Sequence, residues 1–268
     1  MGKIVWLASY PKSGNTWVRA FLHNYIAQPA TPASINGLTD FSAVECAAAF
    51  FHKPGEPLTT EATQRLRPEV HKALTNLHDD LVFIKTHNAN LAVHNIPLCT
   101  QAYTAGAIVI LRDPRDIAFS YSAFIGKPLD DIITFMANPR AANRATPAQV
   151  FEFLSSWSTH AESWASAPRK ILIRYGDLLA DPEKHFARII DYLGGPPEPE
   201  RLRRAIAFSN FKILATQEAQ HGYAAGGPAG PFFRAGKSDA WRDALTPAQA
   251  ARIENDHRHV MRKFGYVD

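Results

Sequence analysis

Short apolar runs followed by polar residues dominate the hydrophobic pattern of the chain. They occupy residues 3–9, 81–84, 107–111 and 171–173 and are rich in aliphatic and β-branched side chains. Runs of this length are typical of strands buried in a parallel sheet. Apolar residues then recur at helical spacing over 17–26, which predicts a helix directly after the first strand. The pattern predicts an α/β fold with a central parallel sheet of about four or five strands and helices on both faces.

The loop between the first strand and the first helix has the composition of an anion-binding turn. It reads Pro-Lys-Ser-Gly-Asn-Thr-Trp from Pro11 to Trp17. Backbone N–H groups at a helix N-terminus point at an anion, and the helix dipole favours negative charge there. Lys12 would add a positive charge and Thr16 a hydroxyl donor. A nucleotide-hydrolase loop is not indicated, because Lys12 precedes Gly14 instead of following it. The alternative is a plain strand–turn–helix unit with a solvated lysine.

A second strand, at residues 81–84, leads into Lys85, Thr86 and His87. Doubly wound sheets bind ligands at the carboxyl ends of their strands. Because side chains alternate along a strand, Lys85 and His87 are expected on one face. A histidine there can take a proton from an attacking hydroxyl, since its pKa lies near neutrality. The alternative is a histidine that simply hydrogen-bonds to a nearby loop.

The strand at 107–111 is also followed by a charged residue. Arg112 follows it, and Pro114 predicts the start of a helix that carries Ser120 two turns later. A guanidinium offers a fork of donors matched to phosphate oxygens, so Arg112 and Ser120 are candidates for binding one phosphate. Asp113 is interpreted as a helix cap.

Composition narrows the functional classes only modestly. The 268 residues suffice for one large core or two small ones, and the 46% hydrophobic and 20% charged content describes an ordinary soluble protein. A net charge of +4 suits an anionic ligand, but Lys and Arg are spread along the chain, so nucleic acid is not expected as a partner. The longest apolar run, at residues 105–111, is too short to span a bilayer, so a membrane is not expected as a partner either. Cys46 and Cys99 lack metal-site spacing and form no disulfide framework, which favours a cytoplasmic location.

Together these segments resemble the signatures of sulfotransferases that use 3′-phosphoadenylyl sulfate (PAPS). The segments that carry the resemblance are 11–17, 85–87, 112–120, Arg-Tyr-Gly-Asp-Leu at 174–178 and Phe-Phe-Arg-Ala-Gly at 232–236. Residues 6–19 look especially like bacterial members that sulfate natural products. The resemblance implies a P-loop-like three-layer fold and one domain over 1–268. Poorly matched residues 28–80 and 125–150 would form the acceptor side, and 218–240 a cofactor lid.

The resemblance implies cofactor-binding roles for the matched residues. The 5′-phosphosulfate would be held by Lys12, Ser13, Gly14, Asn15, Thr16 and Trp17. The 3′-phosphate would be held by Arg112, Ser120, Arg234 and Gly236, with Ala235 in the same segment. Adenine would lie between Trp17 and Phe211, with Ser209 beside it and Tyr175 near the nucleoside.

The resemblance also implies a catalytic set of His87, Lys12, Lys85 and Ser120. His87 would be the general base, and Lys85 and Lys12 would stabilise the transferring sulfuryl group. In the family, the counterpart of Ser120 also restrains the loop lysine.

This chain departs from the family pattern at two positions near the expected 3′-phosphate. Ala235 stands where lysine is usual and removes one phosphate contact, and Asp113 stands where asparagine is usual and adds a negative charge. Both concern the tightness of cofactor binding and not the identity of the cofactor.

We therefore expect in-line transfer of a sulfuryl group from PAPS to a hydroxyl of a small or medium acceptor, with 3′-phosphoadenosine 5′-phosphate (PAP) as product. Donors aimed at the developing charge are sufficient for this chemistry, so no metal is expected. The oligomeric state stays open between monomer and homodimer.

Three alternatives differ from this prediction. A small-molecule kinase on a similar sheet would need a Gly-Lys-Ser/Thr loop. A non-catalytic binding module would not need Lys12, Lys85, His87 and Ser120 together. A carbohydrate sulfotransferase often has a glutamate base, whereas Lys85-Thr86-His87 favours the branch with a histidine base.

The remaining segments predict further elements. Helices are expected near 60–74 and 132–136, and a long helix is expected from Pro147 through Trp164. A turn is expected at 54–57. His257 and His259 are expected to be exposed.

Overall fold

The computed structural model describes residues 2–52, 59–226 and 229–268, so the turn predicted at 54–57 lies outside the described residues. The strands are β1 (Lys3–Ser9), β2 (Ser42–Val44), β3 (Leu81–Thr86), β4 (Ala92–Val93), β5 (Ile96–Pro97), β6 (Thr104–Leu111), β7 (Ala142–Asn143), β8 (Glu152–Phe153) and β9 (Lys170–Arg174).

The helices are α1 (Asn15–Ala27), α2 (Leu38–Phe41), α3 (Ala48–Phe51), α4 (Thr60–Leu74), α5 (Pro114–Ile125), α6 (Leu129–Ala137), α7 (Trp157–Ala165), α8 (Tyr175–Ala180), α9 (Pro182–Tyr192), α10 (Pro199–Phe208), α11 (Phe211–His221), α12 (Trp241–Ala244) and α13 (Pro247–Lys263). Short 3₁₀ turns lie at Ile35–Gly37, Thr75–Leu77 and Gln101–Tyr103.

Five strands form one parallel sheet in the order β2-β3-β1-β6-β9. The four apolar runs are β1, β3, β6 and β9, which confirms the sequence prediction. The fifth strand, β2, comes from the irregular segment 28–80, and its three residues pair with β3 from Phe83 to Lys85. Two antiparallel hairpins, β4–β5 and β7–β8, lie outside this sheet.

Helices cover both faces of the sheet. Along β1, the side chains of Ile4 and Trp6 pack into a core shared with α4, α5, α7 and α13. The alternate residues Val5 and Leu7 pack into a second core with α1, α9 and α10. Because both faces are buried, every residue of the strand interior is apolar, as expected for a parallel sheet.

Several helices begin where their sequences predict. Asp113, Asp181 and Thr246 each accept a hydrogen bond from a backbone N–H in the first turn of α5, α9 and α13, and proline follows each of them. In α13, Gln249 completes a capping box with Thr246. The helices predicted near 60–74 and 132–136 are α4 and α6.

The long helix predicted from Pro147 is wrong, because α7 begins only at Trp157. Ser156 caps this helix by accepting a hydrogen bond from the Thr159 N–H. The residues before it are extended, since Glu152 and Phe153 pair with β7. A serine N-cap was the sequence signal for the true start.

A buried ion cluster ties α4 to the carboxyl end of the sheet. Glu45, Arg67 and His71 are fully buried. The Glu45 carboxylate pairs with the Arg67 guanidinium, and it also lies 3.2 Å from His71 Nε2. Asn88 donates to Glu45 at 2.8 Å, and Arg67 donates to the Phe151 carbonyl at 2.9 Å. Charges buried in this way are tolerated because each has a partner.

Within the described ranges, no helix is both long and apolar enough to cross a membrane.

His257 is buried, which corrects the expectation that it is exposed. It is 3% exposed, its Nδ1 lies 2.8 Å from Ser158 Oγ, and its ring packs edge-on against Trp157. Burial lowers the pKa of His257 to about 4. The side chain of His259 is 89% exposed, as expected.

We predict that the free energy of unfolding falls less steeply with decreasing pH in His257→Gln than in wild type. A histidine whose pKa is lower in the folded protein favours folding above pH 6.5, and this contribution is lost as pH falls towards 4. The stability advantage of wild type over His257→Gln should therefore shrink by about 2–3 kcal/mol between pH 7 and pH 4.5. Urea unfolding at several pH values measures this. His259→Gln is the matched control, and parallel curves for wild type and His257→Gln would contradict the prediction.

Candidate active site

A cavity of about 480 Å³ opens at the carboxyl end of the sheet. Residues at or just after the ends of all five strands line it: Val44, Lys85, His87, Lys12, Arg112 and Tyr175. Further lining residues include Gly14, Asn15, Thr16, Trp17, Ser120, Phe211, Arg234, Ala235 and Gly236. The structure therefore brings together almost all of the residues singled out from the sequence.

Two of those residues do not line the cavity. Ser209 is fully buried, and its hydroxyl donates to the Ala205 carbonyl at 2.8 Å. Ser13 is 1% exposed, and its hydroxyl has no hydrogen-bond partner among the described residues. Their expected contacts with a nucleotide stay predictions.

The loop before α1 has the geometry of an anion cradle. Gly14 caps the helix with φ +101°, and Asn15 fixes the loop by donating to the Leu7 carbonyl at 2.9 Å. The first N–H groups of a helix have no intrahelical acceptor. In the described part of the chain, no loop or turn carbonyl accepts from Asn15 or Thr16 N–H. These donors are available at the positive end of the helix dipole.

The ammonium of Lys12 lies against two aromatic rings. Its Nζ is 3.5 Å from the centroid of the Phe232 ring and 4.2 Å from that of Phe124. Burial, followed by the charge of Arg112, lowers the pKa of Lys12 to about 7, although Glu218 opposes the shift. A lysine in this position is partly charged at neutral pH, and a bound anion would favour its protonated form.

Arg112 links the loop to the chain beyond α11. It donates to the Lys12 carbonyl at 2.8 Å and to the Lys237 carbonyl at 2.9 Å, and its guanidinium lies 4.5 Å from the Tyr175 ring centroid. Its Nε has no hydrogen-bond partner within the described ranges, although the Asp116 carboxylate is 3.9 Å away. The Arg112 guanidinium therefore lies between the loop, the Lys237 segment and the Tyr175 ring, at the wall of the cavity.

The predicted lid, residues 218–240, begins inside a helix, since α11 extends to His221. Its later part is fixed at both ends. The Glu218 carboxylate accepts from the backbone N–H groups of Phe232 and Phe233, and the Asp116 carboxylate accepts from Asp239 N–H at 3.0 Å. These bonds hold the Phe232 ring over Lys12.

His87 is held in one tautomer. Its Nδ1 lies 2.7 Å from the Ser9 carbonyl oxygen, which can only accept, so Nδ1 carries the proton and Nε2 the lone pair. No group in the described ranges hydrogen-bonds to Nε2, and the residue lines the cavity. Burial, and then the Lys85 charge, lower the pKa of His87 to about 3, so the imidazole is neutral at physiological pH.

Glu152 lies beside this histidine and was missed from the sequence, because the segment was predicted to be helical. Its carboxylate is 3.4 Å from Lys85 Nζ and accepts from His87 N–H at 3.2 Å and from Asn143 Nδ2 at 3.1 Å. Burial alone would raise the pKa of Glu152, but the Lys85 charge, His87 and Asn143 lower it to about 2. Glu152 is therefore an anion whose oxygens already accept from these donors, which makes it a poor candidate for a base.

Asn143, Tyr121, Phe124 and Phe232 also line the cavity. Tyr121 and Phe124 lie on α5, one and four residues after Ser120, and their aromatic side chains suggest an apolar wall already in the sequence. Asn143 and Phe232 reach the cavity through tertiary contacts that leave no local pattern.

Within the described residues, no three or more His, Cys, Asp or Glu side chains are grouped so as to hold a metal ion.

The chain is similar to known proteins along most of its length. A family profile described as "Sulfotransferase domain" matches residues 3–265. Sulfotransferase 1E1 of Cavia porcellus is 24% identical over 275 residues, which cover 96% of this chain and 82% of that protein. The 3-alpha-hydroxysteroid sulfotransferase of the same species is 22% identical over 188 residues, which cover 66% of this chain and 63% of that protein.

The fold is similar to that of a solved structure, retinol dehydratase in a complex with retinol and PAP. The TM-score is 0.65 at 19% sequence identity, and the alignment covers 96% of this chain and 81% of that chain. The central parallel sheet with flanking helices is shared with this neighbour.

We predict that Gly14→Ala destabilises the protein more than an alanine substitution at another glycine with a similar positive φ does. A methyl group at Gly14 would lie 2.6 Å from Tyr175 Cδ2, so the ring would have to move. Gly194 has φ +96° and nothing within 4 Å of the added carbon, which makes Gly194→Ala the matched control. Both variants should lose about 1–2 kcal/mol from backbone strain. Gly14→Ala should lose about 1–3 kcal/mol more.

Chemical denaturation of wild type and both variants measures these losses. Equal losses in the two variants would show that the Tyr175 ring does not pack tightly on the loop.

Proposed function

The chain belongs to the sulfotransferase family, and we propose that it moves a sulfuryl group from PAPS to a hydroxyl of a small or medium acceptor. The observation that carries this proposal is the cavity in which the Lys12 loop, Arg112, Lys85 and His87 meet. An anion cradle and a neutral histidine with a bare Nε2 are the two parts that such a transfer needs. The similar structure of retinol dehydratase is a complex with PAP, which supports the choice of nucleotide.

The residues present fit the nucleotide. When bound, PAPS supplies the sulfuryl group. Lys12 and the N–H groups of residues 13–17 would hold its 5′ end, and the Arg112 guanidinium, which lines the cavity, is proposed for the 3′-phosphate. Ser120, Arg234 and Gly236 line the same cavity and are proposed for that phosphate as well. Trp17 and Phe211 both line the cavity and are proposed for the adenine.

Asp113 is less repulsive to the 3′-phosphate than its charge suggests. Its carboxylate pairs with the Arg115 guanidinium at 2.6 Å and accepts from the Arg115 N–H at 2.9 Å. Arg115 in turn pairs with Glu254 at 2.6 Å. We therefore propose that Ala235, which offers no donor, is the departure that weakens phosphate binding.

We propose His87 as the general base. The acceptor hydroxyl would give its proton to Nε2, while the Nδ1–H bond to the Ser9 carbonyl keeps the ring oriented. The ammonium groups of Lys12 and Lys85 would stabilise the negative charge that develops at the reaction centre. With its pKa lowered to about 3, His87 is neutral over the whole working range, so Nε2 keeps its lone pair. The same low pKa makes Nε2 a weaker base than that of an ordinary histidine.

The proposed acceptor carries its hydroxyl on an apolar frame. The cavity wall includes the apolar or aromatic side chains of Val44, Phe119, Tyr121 and Phe124. Similar proteins include a 3-alpha-hydroxysteroid sulfotransferase and a retinol dehydratase in a complex with retinol. Hydroxysteroids and retinol both carry a hydroxyl on such a frame. We also propose a single domain and a cytoplasmic location, as expected from the sequence.

We predict that PAP binds wild type in the micromolar range or better, as measured by calorimetric titration. Arg112→Ala should bind about 10–150-fold more weakly, since a hydrogen bond to a charged group contributes about 1.5–3 kcal/mol. Arg203→Ala, which removes an exposed arginine paired with Glu200, is the control. If wild type gave no heat with PAP but bound ATP with magnesium, the kinase alternative would replace this proposal.

We predict that His87→Ala keeps PAP affinity within about threefold but loses sulfuryl transfer by on the order of 10²–10⁴-fold. The transfer is measured with PAPS and a panel of phenols and sterols. Full activity in this variant would remove His87 from the mechanism, whereas parallel loss of PAP binding would indicate a structural defect.

We predict that PAP binding takes up a proton at pH 8 through Lys12. With a pKa of about 7, most of this ammonium is neutral at pH 8, and binding an anion favours its charged form. Titrations in buffers of different ionisation enthalpy should give an uptake of more than about half a proton. Lys12→Arg stays charged at this pH and should show none. An equal uptake in both proteins would rule out Lys12 as the source.

A further inference from the structure

The family resemblance assigns no role to Glu152, yet its carboxylate contacts both residues proposed for the chemistry. Oε1 accepts from the His87 N–H at 3.2 Å and lies 3.4 Å from Lys85 Nζ. Oε2 accepts from Asn143 Nδ2 at 3.1 Å. The residue is 3% exposed and lines the cavity.

We propose that Glu152 is a positioning residue for the transfer: it fixes the main chain of His87 and the ammonium of Lys85, and its charge balances the imidazolium that His87 becomes. This inference rests on the proposed function. In the step concerned, the acceptor O–H bond breaks and the proton forms a bond to His87 Nε2. The ring then carries one positive charge next to the negative charge of Glu152.

The surroundings of His87 support a positioning role. Its ring is held by the Ser9 carbonyl, its main-chain N–H by Glu152, and its main-chain carbonyl by His160 Nε2 at 3.2 Å. Of these three groups that hold His87, only Glu152 is charged. Removing that charge would loosen one of the three contacts and leave the imidazolium beside an unbalanced Lys85 ammonium.

Glu152 is itself held rigidly, which a positioning residue requires. It pairs in register with Asn143 across the β7–β8 hairpin, and Tyr121 donates to Asn143 Oδ1 at 2.9 Å. On either side of it, the Phe151 carbonyl accepts from Arg67 at 2.9 Å and the Phe153 N–H donates to Asn88 at 2.8 Å. These bonds fix the main chain around Glu152, and the carboxylate itself is held by His87 N–H, Lys85 Nζ and Asn143 Nδ2.

The test uses three variants of the full chain. Glu152→Gln keeps the shape and removes the charge, and Glu152→Asp keeps the charge with a shorter reach. Glu162→Gln is the matched control, because Glu162 lies on α7, half exposed beside Lys263. PAP affinity is measured by calorimetry, and turnover is measured with PAPS and 2-naphthol as the acceptor probe.

We expect Glu152→Gln to bind PAP within about threefold of wild type and to lower kcat at least about tenfold with little change in KM for PAPS. Glu152→Asp should recover part of kcat, and Glu162→Gln should equal wild type. A Glu152→Gln variant with wild-type kcat would overturn the inference. So would a variant that loses PAP affinity, thermal stability and kcat together, since that indicates a merely structural role.

A second measurement does not depend on the acceptor. Amide hydrogen exchange followed by NMR, with the His87 signal assigned by comparison with His87→Ala, reports how firmly the main-chain N–H of His87 is held. We expect this N–H to exchange severalfold faster in Glu152→Gln than in wild type or Glu162→Gln, since it loses its carboxylate acceptor. Unchanged exchange in Glu152→Gln would overturn the inference, whereas absence of PAP binding in wild type would overturn only the proposed function.

Discussion

Both faces of the central sheet are buried by apolar side chains, and this constraint decides where chemistry can occur. Along β1, alternate residues such as Trp6 and Leu7 enter two different cores, so the middle of this strand is apolar on both sides. The polar residues of the cavity lie at or just after the points where the strands stop. Because the five strands are parallel, all of these points lie at one edge, and Lys12, Lys85 and Arg112 meet there although a hundred residues separate the first from the last.

The same constraint explains which features the sequence could predict. Each long strand is a continuous apolar run ended by polar residues, so its position and its candidate chemistry are both local signals. The strand β2 was missed because three residues are too few to form a pattern. Glu152 was missed because its extended conformation depends on pairing with β7 and on contacts with Asn88 and Arg67, which are distant in the chain. His257 was misjudged because exposure on a helix depends on what packs against it.

Two buried carboxylates lie beneath the cavity, and each is neutralised by a different cation. Glu45 is paired with Arg67 in the core, and Glu152 is close to Lys85 at the cavity wall. The first pair is out of reach of a ligand, whereas the second shares its cation with the proposed reaction. A buried charge without its partner is costly, so movement of Lys85 towards a ligand would have to be compensated by another positive charge near Glu152. A protonated His87 would provide it.

The contact between Lys12 and the rings of Phe124 and Phe232 has a consequence for how the site exchanges ligands. Under the proposed function, the rings and the donor nucleotide compete for one ammonium. A nucleotide that draws Lys12 away removes a favourable contact from the segment that carries Phe232, and by reciprocity the contact of that segment with Lys12 lowers the affinity for the nucleotide. The contact between Lys12 and the rings therefore limits how tightly PAP can bind. A limited affinity suits an enzyme that must release PAP after every turnover.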